Sequence, residues 1–172
     1  MPFNQKPQKF NAKINAVTVG TGDKAVVIGG NSTFPFYTFD NPTENAPKIG
    51  VEITDMGLDD FAPGIRAYYE GCTTMAEIAK KAAAMEGGDF VVLNLDGGDP
   101  NGANKSTEEL IAVVKEVAEA IDCPLVVEGC KNVEKDAELL PKVAEALQGR
   151  NIIVLSEKEE NRSEERRVGK EC

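Results

Sequence analysis

Seven polar residues stand where a strand-like run gives way to a loop: Asn31, Asp55, Asn94, Asp96, Asp99, Asn101 and Glu128. Four of them fall in one stretch, VVLNLDGGDPNGAN (91–104), which begins as a buried strand and ends in Asp, Gly, Asn and Pro. Asn and ionised Asp bring hydrogen-bond donors and acceptors. Two readings stand side by side: a solvent-facing turn, and a polar floor for a bound molecule. The Asp/Gly spacing of DGGDPNG faintly resembles a calcium loop but lacks the closing Glu at the required distance. Its glycines follow neither GxGxxG nor the Walker pattern, and Lys105 is the basic residue nearby, so a phosphate cradle is weakly supported. Glu52 and Glu128 read either as a carboxylate pair for acid–base work or as members of a hydrogen-bonded layer.

Composition narrows the chemistry further. The chain has no histidine, which removes His-based triads, His general bases and most zinc sites. Its cysteines, Cys72, Cys123, Cys130 and Cys172, form no CxxC pair and read as reduced packing residues. With 19 Lys plus Arg against 29 Asp plus Glu, the net charge is −10, which repels phosphate backbones and argues against nucleic acid as a partner. No apolar run is long enough to span a membrane, and MPFNQKPQKF lacks the apolar middle of a signal peptide. A cytoplasmic protein without a membrane partner is expected.

The elements that must position those residues are parallel strands and their crossover helices. Val/Ile-rich runs recur at 24–30, 48–54, 89–95, 124–129 and 151–156, nearly unbroken, as strands covered on both faces are. Thr74-Met-Ala-Glu77 and Ser106-Thr-Glu-Glu109 read as capping boxes that start helices. Leu110, Val113, Val114, Val117 and Ile121 form one apolar stripe at helical spacing. Pro141 is expected to divide 132–148 into a short helical turn over about 132–138 and a second helix closing near Gly149. A hairpin precedes the repeats, turning at Thr21-Gly22-Asp23.

Strand, helix, strand, helix with short links gives right-handed parallel units, either doubly wound or a (β/α)8 barrel. The pattern leaves both open; of the two, the fold taken as the expectation is α/β, an incomplete TIM barrel of about five parallel βα units after an N-terminal hairpin, the choice that the family resemblance given below implies. Residues 1–23 form the N-terminal segment and hairpin start, and 24–161 the partial barrel. The strand ends fall at Gly29-Gly30-Asn31, which leads to PFYTFDNP, at Glu52 and Asp55, at Asn94, Asp96 and Asp99, at Glu128 and Cys130, and at Ser156 and Glu157. In parallel α/β folds that edge is where ligands bind. The last eleven residues, RSEERRVGKEC (162–172), have no apolar period. They equal the translation of a common sequencing-adapter sequence, so they are set aside as an artefact and the protein is expected to continue past Asn161.

The segments VTVGTGDKAVVIGGNSTFPFYTFDN, KIGVEITDMGLDDFAPGIRAYYEG, DFVVLNLDGGDPNGAN and PLVVEGCKNVEKDAELLPKVAEAL, in that order, closely resemble one family. It is the small subunit of the corrinoid iron–sulfur protein, also called the delta subunit of the acetyl-CoA decarbonylase/synthase complex. The resemblance covers about residues 9–160 and implies a TIM barrel paired with a large subunit that carries a corrinoid (cobalamin) and a [4Fe–4S] cluster. It further implies methyl transfer from a methyl-pterin, supplied through a methyl-pterin methyltransferase, to acetyl-CoA synthase in the reductive acetyl-CoA (Wood–Ljungdahl) pathway. On that reading the barrel caps the corrinoid, shares it with the large subunit and holds no iron–sulfur cluster of its own. No catalytic residue transfers by name. The seven polar residues above would serve as hydrogen-bonding groups toward corrin amide side chains or the partner. The alternatives are a pterin-dependent (methyltetrahydrofolate) methyltransferase on the same barrel and a scaffold with no ligand at its upper face.

Overall fold

The computed structural model describes Lys6 and residues 9–33 and 43–155. The expectations placed on PFYTFDNP, on Ser156 and Glu157 and on 162–172 lie outside the described residues. A short antiparallel hairpin opens the chain, β1 (Val17–Val19) against β2 (Val26–Ile28), with Val17 opposite Ile28 and Val19 opposite Val26. Its turn is a single 3₁₀ turn at Gly22–Lys24, within a residue of the expected position. The 24–30 run is therefore the second arm of the hairpin and not a parallel barrel strand: β2 pairs with β1 and stands outside the parallel sheet. Just past its end the pairing continues, with Gly30 N–H donating to the Ile14 carbonyl at 3.0 Å and Ile14 N–H to the Asn31 carbonyl at 2.9 Å. That local pairing is available without any crossover helix.

Four strands make the parallel sheet: β3 (Gly50–Thr54), β4 (Phe90–Asn94), β5 (Leu125–Glu128) and β6 (Ile153–Leu155), in the order β3-β4-β5-β6. The architecture is mixed α/β, with four parallel strands among the described residues where five were expected. Between them run α1 (Pro63–Tyr68), α2 (Met75–Ala83), α3 (Thr107–Ala120) and α4 (Val133–Ala146). Each strand pairs with the next in sequence and no reversal of order occurs, so the described sheet is singly wound.

Strand alternation decides which residues face the helices. The register sets Val51, Val91 and Leu125 in one row, and Ile53, Leu93 and Val127 in another on the same face. These residues join Ile78, Ala79 and Ala82 of α2, Leu110, Val114 and Val117 of α3, and Leu139 and Val143 of α4 in one continuous core. Burying each of the larger aliphatic side chains contributes about 1.5–3 kcal/mol. The alternate face carries Glu52, Thr54, Val92, Asn94, Val126 and Glu128, and the three crossover helices leave it uncovered.

Both capping boxes form. Thr74 Oγ1 accepts Glu77 N–H at 3.2 Å and Ser106 Oγ accepts Glu109 N–H at 3.2 Å, each Glu reaching back to the cap backbone. The α3 stripe packs as its spacing requires, with Leu110, Val114 and Val117 fully buried and Val113 and Ile121 partly so. The break expected at Pro141 does not occur: α4 is continuous and carries Pro141 inside it. Asn132 caps it through Lys135 N–H at 3.0 Å, and Leu139, Leu140 and Val143 on either side of the proline are all buried. Packing of both halves on the same core offsets the roughly 3 kcal/mol that proline costs a helix interior. Helix α1 has no counterpart in the pattern analysis. Its Ala62 cap makes no side-chain bond, and Pro63-Gly64 reads locally as a turn.

Candidate functional site

The carboxyl ends of β3, β4 and β5 bring polar side chains into register on the helix-free face. Thr54, Asn94 and Glu128 are neighbours across three strands, with Glu52 one step below Thr54 on β3. Asn94 is 4% exposed, and its Nδ2 donates to Glu52 Oε1 at 2.7 Å. Thr54 Oγ1 donates to Asp96 Oδ2 at 2.9 Å, which ties the end of β3 to the loop that follows β4. Lys131 approaches Glu128 at 3.8 Å, both near the surface, an ion pair of small energetic consequence. The edge thus presents three carboxylates, of Glu52, Asp96 and Glu128, around one buried carboxamide.

Glu52 and Glu128 do not face one another as an acid–base pair would. They lie two strands and one register step apart, with β4 between them, roughly 12 Å between Cα atoms from standard sheet spacings. Glu52 has Asn94 as its partner, which is the hydrogen-bonded layer.

Asp55 sits at the same edge but points inward. Its carboxylate is fully buried, accepting Lys105 Nζ at 2.8 Å through Oδ2 and Gly97 N–H at 2.8 Å through Oδ1. Lys105 also donates to the Asp55 carbonyl at 2.8 Å. This latch fastens the DGG turn, a 3₁₀ turn at Asp96–Gly98, onto the end of β3. A Cβ at Gly97 would run into Asp55 Oδ2 and Lys105, so the glycine is required by close approach. Gly129 meets the same demand against the Asp136 carboxylate. Asp136 is 1% exposed and accepts Cys130 N–H at 2.8 Å and the Cys130 thiol at 3.3 Å. It thereby holds the loop after β5. Burial pushes the Cys130 thiol up to about 11, and the bond to Asp136 adds to the shift.

The other expected residues lie further out or elsewhere. Asp99 Oδ1 accepts both the N–H of Asn101 at 2.9 Å and its Nδ2 at 3.2 Å, a self-contained turn on the exposed part of the loop. Asn31 is not brought to the group. Its amide clasps the backbone of Asn45, donating to the carbonyl at 2.9 Å and accepting the N–H at 2.8 Å. That clamp holds the hairpin to the segment that enters β3 from its amino end. Thr54 and the roles of Lys105 and Asp136 were missed, because each depends on a pairing across 6 to 50 residues of sequence.

Two hollows lie at the opposite end. One of about 310 Å³ is lined by Val17, Val19, Leu140, Pro141 and Leu147 among others, and one of about 610 Å³ by Lys24, Asp122, Cys123 and Arg150 among others. Neither reaches the polar edge, and the chemistry of the edge, not hollow size, singles it out. Among the described residues no three His, Cys, Asp or Glu side chains converge where a metal ion could sit, and no helix is long and apolar enough to cross a membrane.

Fold and site together define an acidic α/β protein whose parallel sheet offers a helix-free, acceptor-rich carboxyl edge. The family described as CO dehydrogenase/acetyl-CoA synthase delta subunit matches residues 16–171, a span that runs into the segment 162–172 set aside above. The chain belongs to that family. It is 33% identical over 162 residues to the acetyl-CoA decarbonylase/synthase complex subunit delta of Archaeoglobus fulgidus, covering 90% of this chain and 36% of that protein. The Methanothermobacter thermautotrophicus subunit delta is 30% identical over 156 residues, covering 90% and 40%. Subunit delta 1 of Methanosarcina thermophila is 31% identical over 138 residues, covering 80% and 31%. The chain therefore spans about a third of the length of the curated relatives it matches.

Proposed function

We propose that this chain is part of the barrel subunit of a two-subunit corrinoid iron–sulfur protein that carries a methyl group from a methyl-pterin to acetyl-CoA synthase. Its partners are a large subunit bearing corrinoid and [4Fe–4S] cluster, acetyl-CoA synthase and a methyl-pterin methyltransferase; its compartment is the cytoplasm. The parallel units continue into a closed (β/α)8 barrel, consistent with the singly wound order of β3 to β6. The observation that carries the reading is the polar row of Thr54, Asn94 and Glu128 on the helix-free face of a chain from this family.

The residues fit a corrinoid. Its rim bears carboxamides with N–H donors, and the edge offers a buried acceptor with no partner together with three carboxylates. The corrinoid, when bound, supplies the cobalt that accepts and releases the methyl group. The residues of this chain orient its rim and keep water from that side. Asp55, Lys105 and Asp136 act one layer behind, holding the loops after β3, β4 and β5.

The test is association. Full-length protein mixed with the corrinoid-loaded large subunit should form a stable heterodimer whose corrinoid absorption spectrum differs from that of the large subunit alone. An unchanged spectrum contradicts the reading. Tight binding of methyltetrahydrofolate to the full-length protein without its partner would favour a methyltransferase instead.

A further inference from the structure

We propose that Asn94 Oδ1 is the ligand-facing acceptor of this edge, set in place by Glu52 to receive an N–H group of the bound molecule. The proposal deepens the reading above and rests on it. Among the described residues Asn94 Oδ1 is the buried side-chain polar atom that has no hydrogen-bond partner. Its amide is not free to turn over, because Nδ2 donates to Glu52 Oε1 at 2.7 Å and reversal would set the carboxamide oxygen against a carboxylate.

The strand neighbours of Asn94 do not supply the missing donor. The Thr54 hydroxyl hydrogen is committed to Asp96 Oδ2, and Glu128 across β5 is an acceptor. Lys131 stands at Glu128 Oε1. A buried acceptor left without a donor is costly, and none of the described residues supplies one; on this proposal the donor comes from a molecule above the sheet. With Glu52, Asp96 and Glu128 around it, the position repels carboxylates and phosphates and suits the N–H of a carboxamide or a cyclic guanidine. Two sources carry that chemistry: the carboxamides on a corrin rim and the aminopyrimidine edge of a pterin.

The experiment uses the full-length protein, with and without its large subunit, and two variants. Asn94→Leu removes the acceptor at nearly constant volume. The double variant Glu52→Gln with Asn94→Asp reverses the internal hydrogen bond and keeps an oxygen facing the ligand. Affinity is measured for the large subunit loaded with intact corrinoid, for the same subunit loaded with a corrinoid whose carboxamides are hydrolysed to carboxylates, and for methyltetrahydrofolate alone. Urea unfolding of each variant is followed in parallel.

Asn94→Leu should weaken binding about tenfold, and the double variant should stay within about threefold of the parent, the scale of one ligand hydrogen bond. If the donor is a corrin carboxamide, the parent also loses affinity for the hydrolysed corrinoid. If it is a pterin, the loss appears only with methyltetrahydrofolate, which keeps Asn94 Oδ1 as the ligand-facing acceptor but replaces the subunit reading with the methyltransferase one. Equal affinities for parent and Asn94→Leu in every arm, with only the unfolding curve moved, overturn this inference and leave the subunit reading standing. Absence of binding by the parent in all arms overturns both.

Discussion

Asp55 is a strand-end carboxylate with no side-chain surface left to offer a ligand, since Lys105 and Gly97 N–H occupy it from within. Removing it strands a cation and an amide together. Asp55→Ala should therefore destabilise the protein by about 3 kcal/mol, read from urea unfolding of the full-length chain. Gly97→Ala should do comparable harm by pushing on the same pair. Cys130 yields a prediction in pH. Its folded-state value is raised from 9.0 to about 11, so the neutral thiol is favoured by folding. That stabilisation is present below pH 9 and is lost as the pH rises from about 9 to about 11. Unfolding free energy should fall over that window, and Cys130→Val should flatten the fall.

What was legible at this scale was residue type and position along the strand. Asn94, Asp96 and Glu128 do come together at one edge, as strand-end residues of parallel neighbours should. Asn31 and Asp55 were placed in the same group on the same argument. Yet one clasps the Asn45 backbone and the other a lysine 50 residues away. Which way a strand-end side chain turns depends on register and on loop closure, and neither leaves a mark in spacing alone.

Among the elements, local signals with a side-chain mechanism were legible and signals needing the core were not. The boxes at Thr74 and Ser106 announce α2 and α3 because both halves of each motif lie within three residues. Ser106→Ala should cost about 1 kcal/mol, measured by the shift in urea midpoint. Pro141 misleads because its local preference opposes a helix, while the buried Leu139, Leu140 and Val143 that override it act through tertiary packing. Pro141→Ala restores an N–H to the helix interior and should stabilise the protein by up to about 3 kcal/mol, less whatever packing the ring supplies. A loss instead would show that the packing of the ring, which lines the same hollow as Val17 and Leu140, outweighs the helix term.

At the scale of the molecule, the helix-free face of β3 to β6 carries the half-buried Val92 beside its polar row. Leu155 of β6 is 40% exposed. Among the described residues β6 pairs with β5 on one side only. The 172-residue chain by itself should therefore bind a hydrophobic dye or self-associate. Size-exclusion chromatography with dye fluorescence checks this, and a sharp cooperative melt of a monomer that binds no dye would contradict it. That β3 to β6 run parallel was legible from the alternation of strands and helices, whereas their singly wound order was not, since alternation alone also allows a doubly wound sheet. Nor was the separation of β2 from that order, since a Val/Ile run reads alike in a hairpin and in a parallel strand.

Hydrogen–deuterium exchange on the full-length protein, with and without its corrinoid-loaded large subunit, tests the account most directly. Slowed exchange should appear in peptides holding 94–101 and 128–131, at the carboxyl edge of the sheet. The hairpin at 17–28 should exchange unchanged. Protection confined to the hairpin or to the outer faces of the helices, with the edge unaffected, would contradict the claim that this edge is the one that meets the corrinoid.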